Sequence, residues 1–214
     1  MNTLNIASIR RDYTLKQLDE QEVDCNPFAQ FGLWFDEALN AKVLEPNAMI
    51  IATSTRDGKP SARVVLLKQF DNTGFSFFTN YHSRKALDLD QNPYASLVFF
   101  WPELERQVRI EGTISKVSDT ESDNYFNSRP EGSKIAAWAS QQSQIIPNRK
   151  HIESLQVDFQ NNFLGKTINR PSNWGGYLLC PSLFEFWQGR PNRLHDRVQY
   201  SFANGDWAIE RLAP

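Results

Sequence analysis

The brevity of the turns between residues 48 and 80 constrains this chain more than any other feature. Ala48–Thr55, Ala62–Phe70 and Phe75–Thr79 are apolar, β-rich runs separated only by Asp57-Gly58 and Asp71-Asn-Thr-Gly74. Links that short join antiparallel neighbours, because a parallel pair needs a crossover long enough to hold a helix. Tyr94–Trp101 and Gln107–Val117 read as a further pair, Tyr177–Leu179 and Phe184–Trp187 as two more strands, and Val198–Phe202 with Trp207–Leu212 as a hairpin around Asn204-Gly205. The pattern predicts a six- to eight-stranded antiparallel meander or barrel within an α+β, mainly antiparallel β, architecture.

Helices fill the remainder. Asn26-Pro27 can cap a helix to about Ala41, with Phe28, Phe31, Phe35, Ala38 and Leu39 on its inner face. Ser83 can cap a short helix through Leu89. Ser118-x-x-Glu121 is a capping-box pattern before a helix ending near Pro130. Ser133–Ser140 reads as another short helix, and Asn148 can start a longer one carrying Ile152, Leu155, Phe159 and Phe163, stopped by Gly165. Residues 1–25 lack periodicity and read as a flexible arm, leaving 26–214 as a single domain.

Composition matters chiefly for what it excludes. With 23 Lys+Arg against 25 Asp+Glu the net charge is −2, without the basic excess of a general nucleic-acid binder. The longest apolar run, around Leu97–Trp101, has strand length, and Arg10, Arg11 and Asp12 precede no apolar segment that would read as a secretory signal. Cys25 and Cys180 are too few for a disulfide framework, and His82, His151 and His195 have no spacing that suggests a metal site. The expectation is a soluble, cytoplasmic protein without a membrane or metal partner.

Four groups of residues could carry chemistry. If Arg193–Arg197 is extended, Arg193, His195 and Arg197 share one strand face, which suits an anion or a π-system or else forms a solvated edge. Trp187, just upstream, could line a flat ligand or lie in the core. Ser83-Arg84-Lys85 at a helix start could hold a phosphate or form a plain surface cap. Arg63 and Lys68 bracket an apolar stretch but fall on opposite faces of a regular strand, so a shared ligand would need a bulge. Tyr125 and Arg129, four residues apart with Ser133 beyond Pro130, suit a phosphomonoester, with a surface cation–π pair as the alternative. No nucleophile elbow, Walker pattern or G-x-G-x-x-G is present. Two phosphate sites, an aromatic wall and a cationic strand face favour a phosphorylated cofactor with a phosphorylated substrate over hydrolysis.

With those residues in view, the chain resembles the pyridoxine/pyridoxamine 5′-phosphate oxidase family. The blocks that carry the resemblance are Glu45–Met49, Arg63–Lys68, Phe78-Thr-Asn80 with Ser83-Arg-Lys85, and Arg106-Gln-Val108. They continue with Tyr125–Pro130, Gln142-Ser143, Trp174-Gly-Gly176, Phe184–Gln188, Arg193–Arg197 and Glu210–Pro214. The resemblance implies a split β-barrel that forms a homodimer and binds FMN at the subunit interface. It implies oxidation of pyridoxine 5′-phosphate and pyridoxamine 5′-phosphate to pyridoxal 5′-phosphate, with dioxygen reoxidising the flavin and giving hydrogen peroxide. Implied FMN contacts are Arg63, Val64, Val65, Leu66, Leu67, Lys68, Phe78, Thr79, Arg84, Lys85, Gln107, Gln142, Ser143, Trp187 and Arg197. Lys68, Tyr125, Arg129 and Ser133 would meet the substrate phosphate. Arg193, Leu194 and His195 would lie against the pyridine ring, with Arg193 and His195 orienting the substrate and assisting its deprotonation. Arg10 and Tyr13 would form a lid. Lys134 and Ala136 depart from the commoner Gln and Gly and bear on the loop near Ser133. Alternatives of another class are a non-catalytic FMN or pyridoxal-phosphate binding module and a nicotinamide-dependent flavin reductase on the same barrel.

Overall fold

The computed structural model describes residues 12–214. Helix α1 spans Pro27–Asn40, and strands β1 (Ala48–Ser54), β2 (Pro60–Leu66), β3 (Gln69–Asp71) and β4 (Gly74–Asn80) follow it. Next come α2 (Arg84–Gln91), β5 (Tyr94–Trp101), β6 (Arg106–Lys116), α3 (Asp119–Ser128), α4 (Glu131–Ala139) and α5 (Arg149–Phe163). The long β7 (Trp174–Gln188), a 3-10 turn at Pro191–Arg193, β8 (Asp196–Ala203) and β9 (Asp206–Leu212) complete the chain. The described strands form one nine-stranded sheet in the order β2-β1-β5-β6-β7-β4-β3, with β8 pairing β7 and β9 pairing β8. The chain divides into two compact units, one holding the described residues up to Pro46 with Val98–Ile110 and Ser182–Pro214, the other Asn47–Leu97 with Glu111–Pro181.

The first unit is built on aromatic packing. Asn26 Oδ1 accepts the Phe28 N–H at 2.9 Å, so α1 starts where the sequence places it. Phe28 meets Phe184 edge-on at 5.2 Å, Phe31 meets Phe99 at 5.0 Å and Trp34 meets Phe186 at 5.2 Å. Trp34 joins the inner face, Phe35 is half-buried against Phe31 and Trp101, and Leu39 is exposed. Asn204 and Gly205 both have positive φ, 55° and 89°, as a two-residue hairpin turn requires, and β8 pairs β9 from Arg197↔Leu212 to Ala203↔Asp206.

In the second unit β1 and β2 form a hairpin from Ala48↔Leu66 to Ser54↔Pro60, and β4 pairs the first part of β7 from Phe75↔Leu179 to Asn80↔Trp174. The single run expected at Ala62–Phe70 is two strands. Leu67 N–H donates to Asn47 O at 2.8 Å and Lys68 N–H to Ser76 O at 2.9 Å, so the chain changes partner strand between them. The two strands expected at Tyr177–Leu179 and Phe184–Trp187 are one. Pro181, which lacks an N–H, falls between the pairing with β4, ending at Leu179, and the pairing with β8, beginning at Leu183. The split and the merger cancel in number, and the described residues hold nine strands, one more than the upper end of the expected six to eight. The helices cover a second core of Phe126, Ile135, Ala137, Ile168 and Trp174. Ser118 Oγ accepts the Glu121 N–H at 3.1 Å and Asn148 Oδ1 the His151 N–H at 3.1 Å, as the capping patterns predict.

Candidate functional site

The second unit contains a cavity of about 810 Å³. Its wall includes Arg63, Val64, Val65, Leu66, Lys68, Phe78, Thr79, Arg84, Lys85, Tyr125, Arg129, Ser133, Gln142 and Ser143, all expected from sequence, and also Asn80, Pro130, Ala136, Ala137, Ser140 and Trp174. Arg63 and Lys68 share it because β2 ends at Leu66 and Lys68 already follows β4, so the regular alternation of one strand does not apply. Leu67 is the exception in its block. Its side chain is buried away from the cavity, in the core.

The cations form two clusters. In the first, Lys85 on α2 is buried, and its Nζ donates to Thr79 Oγ1 at 2.9 Å, Ser83 Oγ at 3.2 Å and Gln142 Oε1 at 3.2 Å. Burial and the neighbouring Arg63 charge push this ammonium down to about 8. Ser83 occupies the N-cap position of α2 but makes no capping bond, its hydroxyl being taken by Lys85. Arg63 donates to Thr53 Oγ1 at 2.8 Å and Ser61 Oγ at 2.6 Å. Behind it the buried Asp88 accepts from Thr53 Oγ1 at 2.8 Å and Arg84 Nε at 2.9 Å, and lies 4.0 Å from Arg63 Nη2. Asp88 thus aims both arginines, and sequence gave no sign of it beyond an acidic residue in a polar helix.

The second cluster is aromatic. Tyr125 stacks on Phe78 at 4.0 Å, Phe78 on Trp174 at 5.7 Å, and the Arg129 guanidinium lies 4.6 Å from the Trp174 ring centroid. Lys68 Nζ is 5.9 Å from the Tyr125 centroid. Arg129 is the C-cap of α3, turned out of the helix into extended backbone ahead of Pro130. Its Nη1 is buried without a hydrogen-bond partner among the described residues, and burial lowers its pKa. A buried donor in that state costs free energy until an acceptor reaches it.

The remaining expected residues lie in the first unit. Gln107 sits on β6, Trp187 on β7 and Arg197 on β8, paired in register with Trp187. Arg193–Arg197 is not the extended face that alternation suggests. Pro191–Arg193 makes a 3-10 turn, Asn192 and Arg193 have φ of 57° and 62°, and the strand begins only at Asp196. The turn carries His195 onto Trp187, with ring centroids 4.6 Å apart, and Tyr13 packs edge-on to both at 5.7 and 5.8 Å. The Arg190 N–H donates to His195 Nδ1 at 3.1 Å, which places the proton of the neutral ring on Nε2. Burial first, then the Arg193 charge, lowers the His195 pKa and favours that neutral ring. Leu194 is exposed, and Arg10 lies outside the described residues. Among the described residues no group of His, Cys, Asp and Glu is placed to hold a metal ion, and no helix is long and apolar enough to cross a membrane.

A predominantly antiparallel sheet whose cavity carries two cation clusters against stacked aromatics defines a split-barrel protein built to bind anionic, planar ligands. The model of the family described as pyridoxamine 5′-phosphate oxidase matches residues 35–155, and that of the pyridoxine 5′-phosphate oxidase C-terminal dimerisation region matches 174–214. The chain belongs to the pyridoxamine 5′-phosphate oxidase family. It is 58% identical over 210 residues to a pyridoxine/pyridoxamine 5′-phosphate oxidase of Trichormus variabilis, covering 98% of each chain. It is 53% identical over 212 residues to the protein of that name from Cyanothece sp., covering 99% of this chain and all of the other. Among solved structures, PhzG from Burkholderia lata, in complex with tetrahydrophenazine-1-carboxylic acid, superposes with a TM-score of 0.89 at 29% identity over 95% of this chain and 100% of that one.

Proposed function

We propose that this chain oxidises pyridoxine 5′-phosphate and pyridoxamine 5′-phosphate to pyridoxal 5′-phosphate, with FMN as its resident cofactor and dioxygen as the final acceptor. The observation that carries this reading is the pair of cation clusters in one cavity, one cluster for each of two phosphates. The relatives that match nearly the whole chain carry the name of that oxidase.

The residues present fit FMN. Among the described residues, Lys85 has neutral oxygens alone around its buried ammonium and Arg129 Nη1 has no partner, so both clusters are incomplete until anions arrive. In this reading Arg63, Arg84, Lys85 and Thr79 hold the FMN phosphate, with Val64, Val65 and Leu66 along the flavin and Gln142 and Ser143 adding polar contacts. Lys68, Tyr125, Arg129 and Ser133 hold the substrate phosphate, and the Phe78–Tyr125 stack excludes water beside it. When bound, FMN supplies the two-electron acceptor that dioxygen restores, so the protein needs no nucleophile of its own.

Arg193 and His195 orient the pyridine ring. Since Nδ1 already accepts the Arg190 N–H, the neutral His195 offers Nε2–H and gives a hydrogen bond instead of taking a proton. That narrows the expectation that both residues assist deprotonation. Gln107, Trp187 and Arg197 stay assigned to the flavin, and Arg10 with Tyr13 to the lid. The match to a dimerisation region supports a homodimer, for which light scattering of the flavin-loaded protein returning a 24.7 kDa monomer would be contrary evidence.

The decisive experiment is anaerobic. The purified protein should be yellow, and pyridoxine 5′-phosphate or pyridoxamine 5′-phosphate should bleach it until air is admitted. A colourless protein that takes up no FMN, or a loaded one that neither compound bleaches, overturns the reading. Bleaching only by a reduced nicotinamide would favour the flavin reductase.

A further inference from the structure

The turn between β5 and β6 ends in an unusual residue. Glu105 is buried, carries a positive φ of 55°, and has a side-chain oxygen that accepts from backbone. The N–H groups of Thr14 and Leu15 donate to its Oε2 at 2.9 and 3.1 Å. Its own carbonyl accepts from Gly189 N–H at 2.7 Å and Gln188 Nε2 at 3.2 Å. One residue therefore fixes the segment that follows Tyr13 and the end of the strand that carries Trp187. A left-handed backbone costs a non-glycine residue on the order of 1 kcal/mol and persists where the surroundings demand it.

Farther along, the same segment is tied to the turn that carries His195. Leu18 N–H donates to Asp196 Oδ2 at 3.1 Å, and Leu18 O accepts from Arg211 Nη2 at 3.0 Å. Lys16 O accepts from Arg190 Nη1 at 3.3 Å, while Lys16 Nζ pairs with Glu37 at 2.7 Å. Arg190 and Asp196 flank the strained Asn192–Arg193 turn, so strap and turn brace each other. Gly189 completes the seat. A Cβ there would stand 2.6 Å from Tyr13 Cγ and 2.8 Å from Tyr13 Cβ.

We propose that Glu105 is a positioning residue whose carboxylate clamps residues 13–18 as a strap and so holds Tyr13 against Trp187 and His195. In this proposal Glu105 acts through Tyr13. The clamp works because a carboxylate accepts two backbone N–H groups at once, donors that would otherwise lose their partner in a partly buried place. The kinetic consequence rests on the oxidase reading above, whereas the strap itself does not.

Glu105→Gly tests the clamp, because glycine accepts φ of 55° without strain and removes only the side chain. In the flavin-loaded protein, trypsin should cut after Lys16 at least about tenfold faster in Glu105→Gly than in the unaltered chain. Glu105→Gln, whose amide oxygen still accepts, should lie in between. The KM for pyridoxine 5′-phosphate should rise about tenfold in Glu105→Gly, with flavin content and saturated turnover held within about twofold. Gly189→Ala, which evicts the Tyr13 ring from the opposite side, should give the same proteolytic signature. Should either variant fail to fold, amide hydrogen exchange of the unaltered protein decides, since the Thr14 and Leu15 amides must exchange at least about tenfold more slowly than free peptide. Free-peptide exchange at those two amides, or equal cleavage in all variants, overturns the clamp. If substrate fails to bleach the unaltered protein while the strap stays protected, the oxidase reading fails and the clamp survives.

Discussion

Lys85 Nζ donates to Thr79 Oγ1 at 2.9 Å, and among the described residues no carboxylate pairs with this buried ammonium. Its pKa falls to about 8 from 10.5. Below pH 8 the folded chain bears the full cost of a buried charge, about 3 kcal/mol. Between about 8 and 10.5 the unfolded chain binds the extra proton, so this group makes ligand-free stability rise with pH across that window. Phosphate binding has the opposite sign, since it needs the ammonium charged. FMN affinity should therefore weaken above about pH 8, whereas riboflavin, which has no phosphate, should show no such trend. Fluorescence titrations across that range provide the check. Lys85→Met should flatten the FMN profile and weaken binding by about tenfold or more at neutral pH.

Gly176 faces Phe78 across the β4–β7 ladder, and a Cβ there would lie 2.7 Å from Phe78 Cε1 and 2.6 Å from Val117 Cγ2. Phe78 would have to shift, and it is already stacked on Tyr125 at 4.0 Å. Gly176→Ala should therefore displace the aromatic wall beside Arg129 while leaving the strand paired. The expected outcome is a KM for either phosphorylated substrate raised about tenfold at a stability cost of about 1–3 kcal/mol. Unchanged KM in a folded variant would show that this wall does not shape the substrate subsite.

Much of this arrangement is legible in sequence because it follows from local rules. Short turns dictate antiparallel pairing, Asn204-Gly205 dictates a hairpin, and Asn26, Ser118 and Asn148 cap the helices their spacing implies. What escapes the sequence depends on partners far along the chain. Tyr177–Leu179 and Phe184–Trp187 read as separate strands, yet the interval between them, with Pro181, lies where β7 passes from one partner to the next. Alternation places Arg193 in a strand, but the turn after Arg190 gives it a positive φ. Trp174-Gly-Gly176 is conspicuous as a motif, and only the packing of Tyr81 and Phe78 against those glycines explains it. Asp88, Glu105 and Glu185 are ordinary acidic residues in the sequence, and their roles come entirely from what folding brings to them.

Arg193 has φ of 62°, so the choice of substitution decides whether its role can be measured. Leucine would strain the backbone and disturb His195 two residues on. Asparagine tolerates the left-handed region and removes only the charge and reach of the guanidinium. Arg193→Asn should lower turnover with pyridoxamine 5′-phosphate by about a hundredfold or more, while FMN content changes by less than about threefold. Single-turnover bleaching of the flavin separates the two quantities. Equal turnover in the variant would remove Arg193 from the reaction.

Glu185 is buried between two guanidinium groups, accepting from Arg197 Nε at 2.8 Å and Arg109 Nη2 at 2.5 Å. Burial alone would raise its pKa, but the two arginines outweigh that and hold the carboxyl below 4.5. A depressed carboxyl pKa contributes stability that is present above 4.5 and is lost as pH falls through the folded value. Arg197, whose pKa is raised by the same pair, lies in register with Trp187, so Glu185 also fixes the cation beside that ring. Glu185→Gln keeps the shape and removes the charge. It should cost about 2 kcal/mol at neutral pH, less than for a fully buried pair because both arginines are partly exposed. Thermal melts taken from neutral pH down to about pH 3 should show the difference between the unaltered protein and the variant shrinking as Glu185 protonates. A difference that stays constant through acid would assign the loss to packing and leave the ion pairs without a part in it.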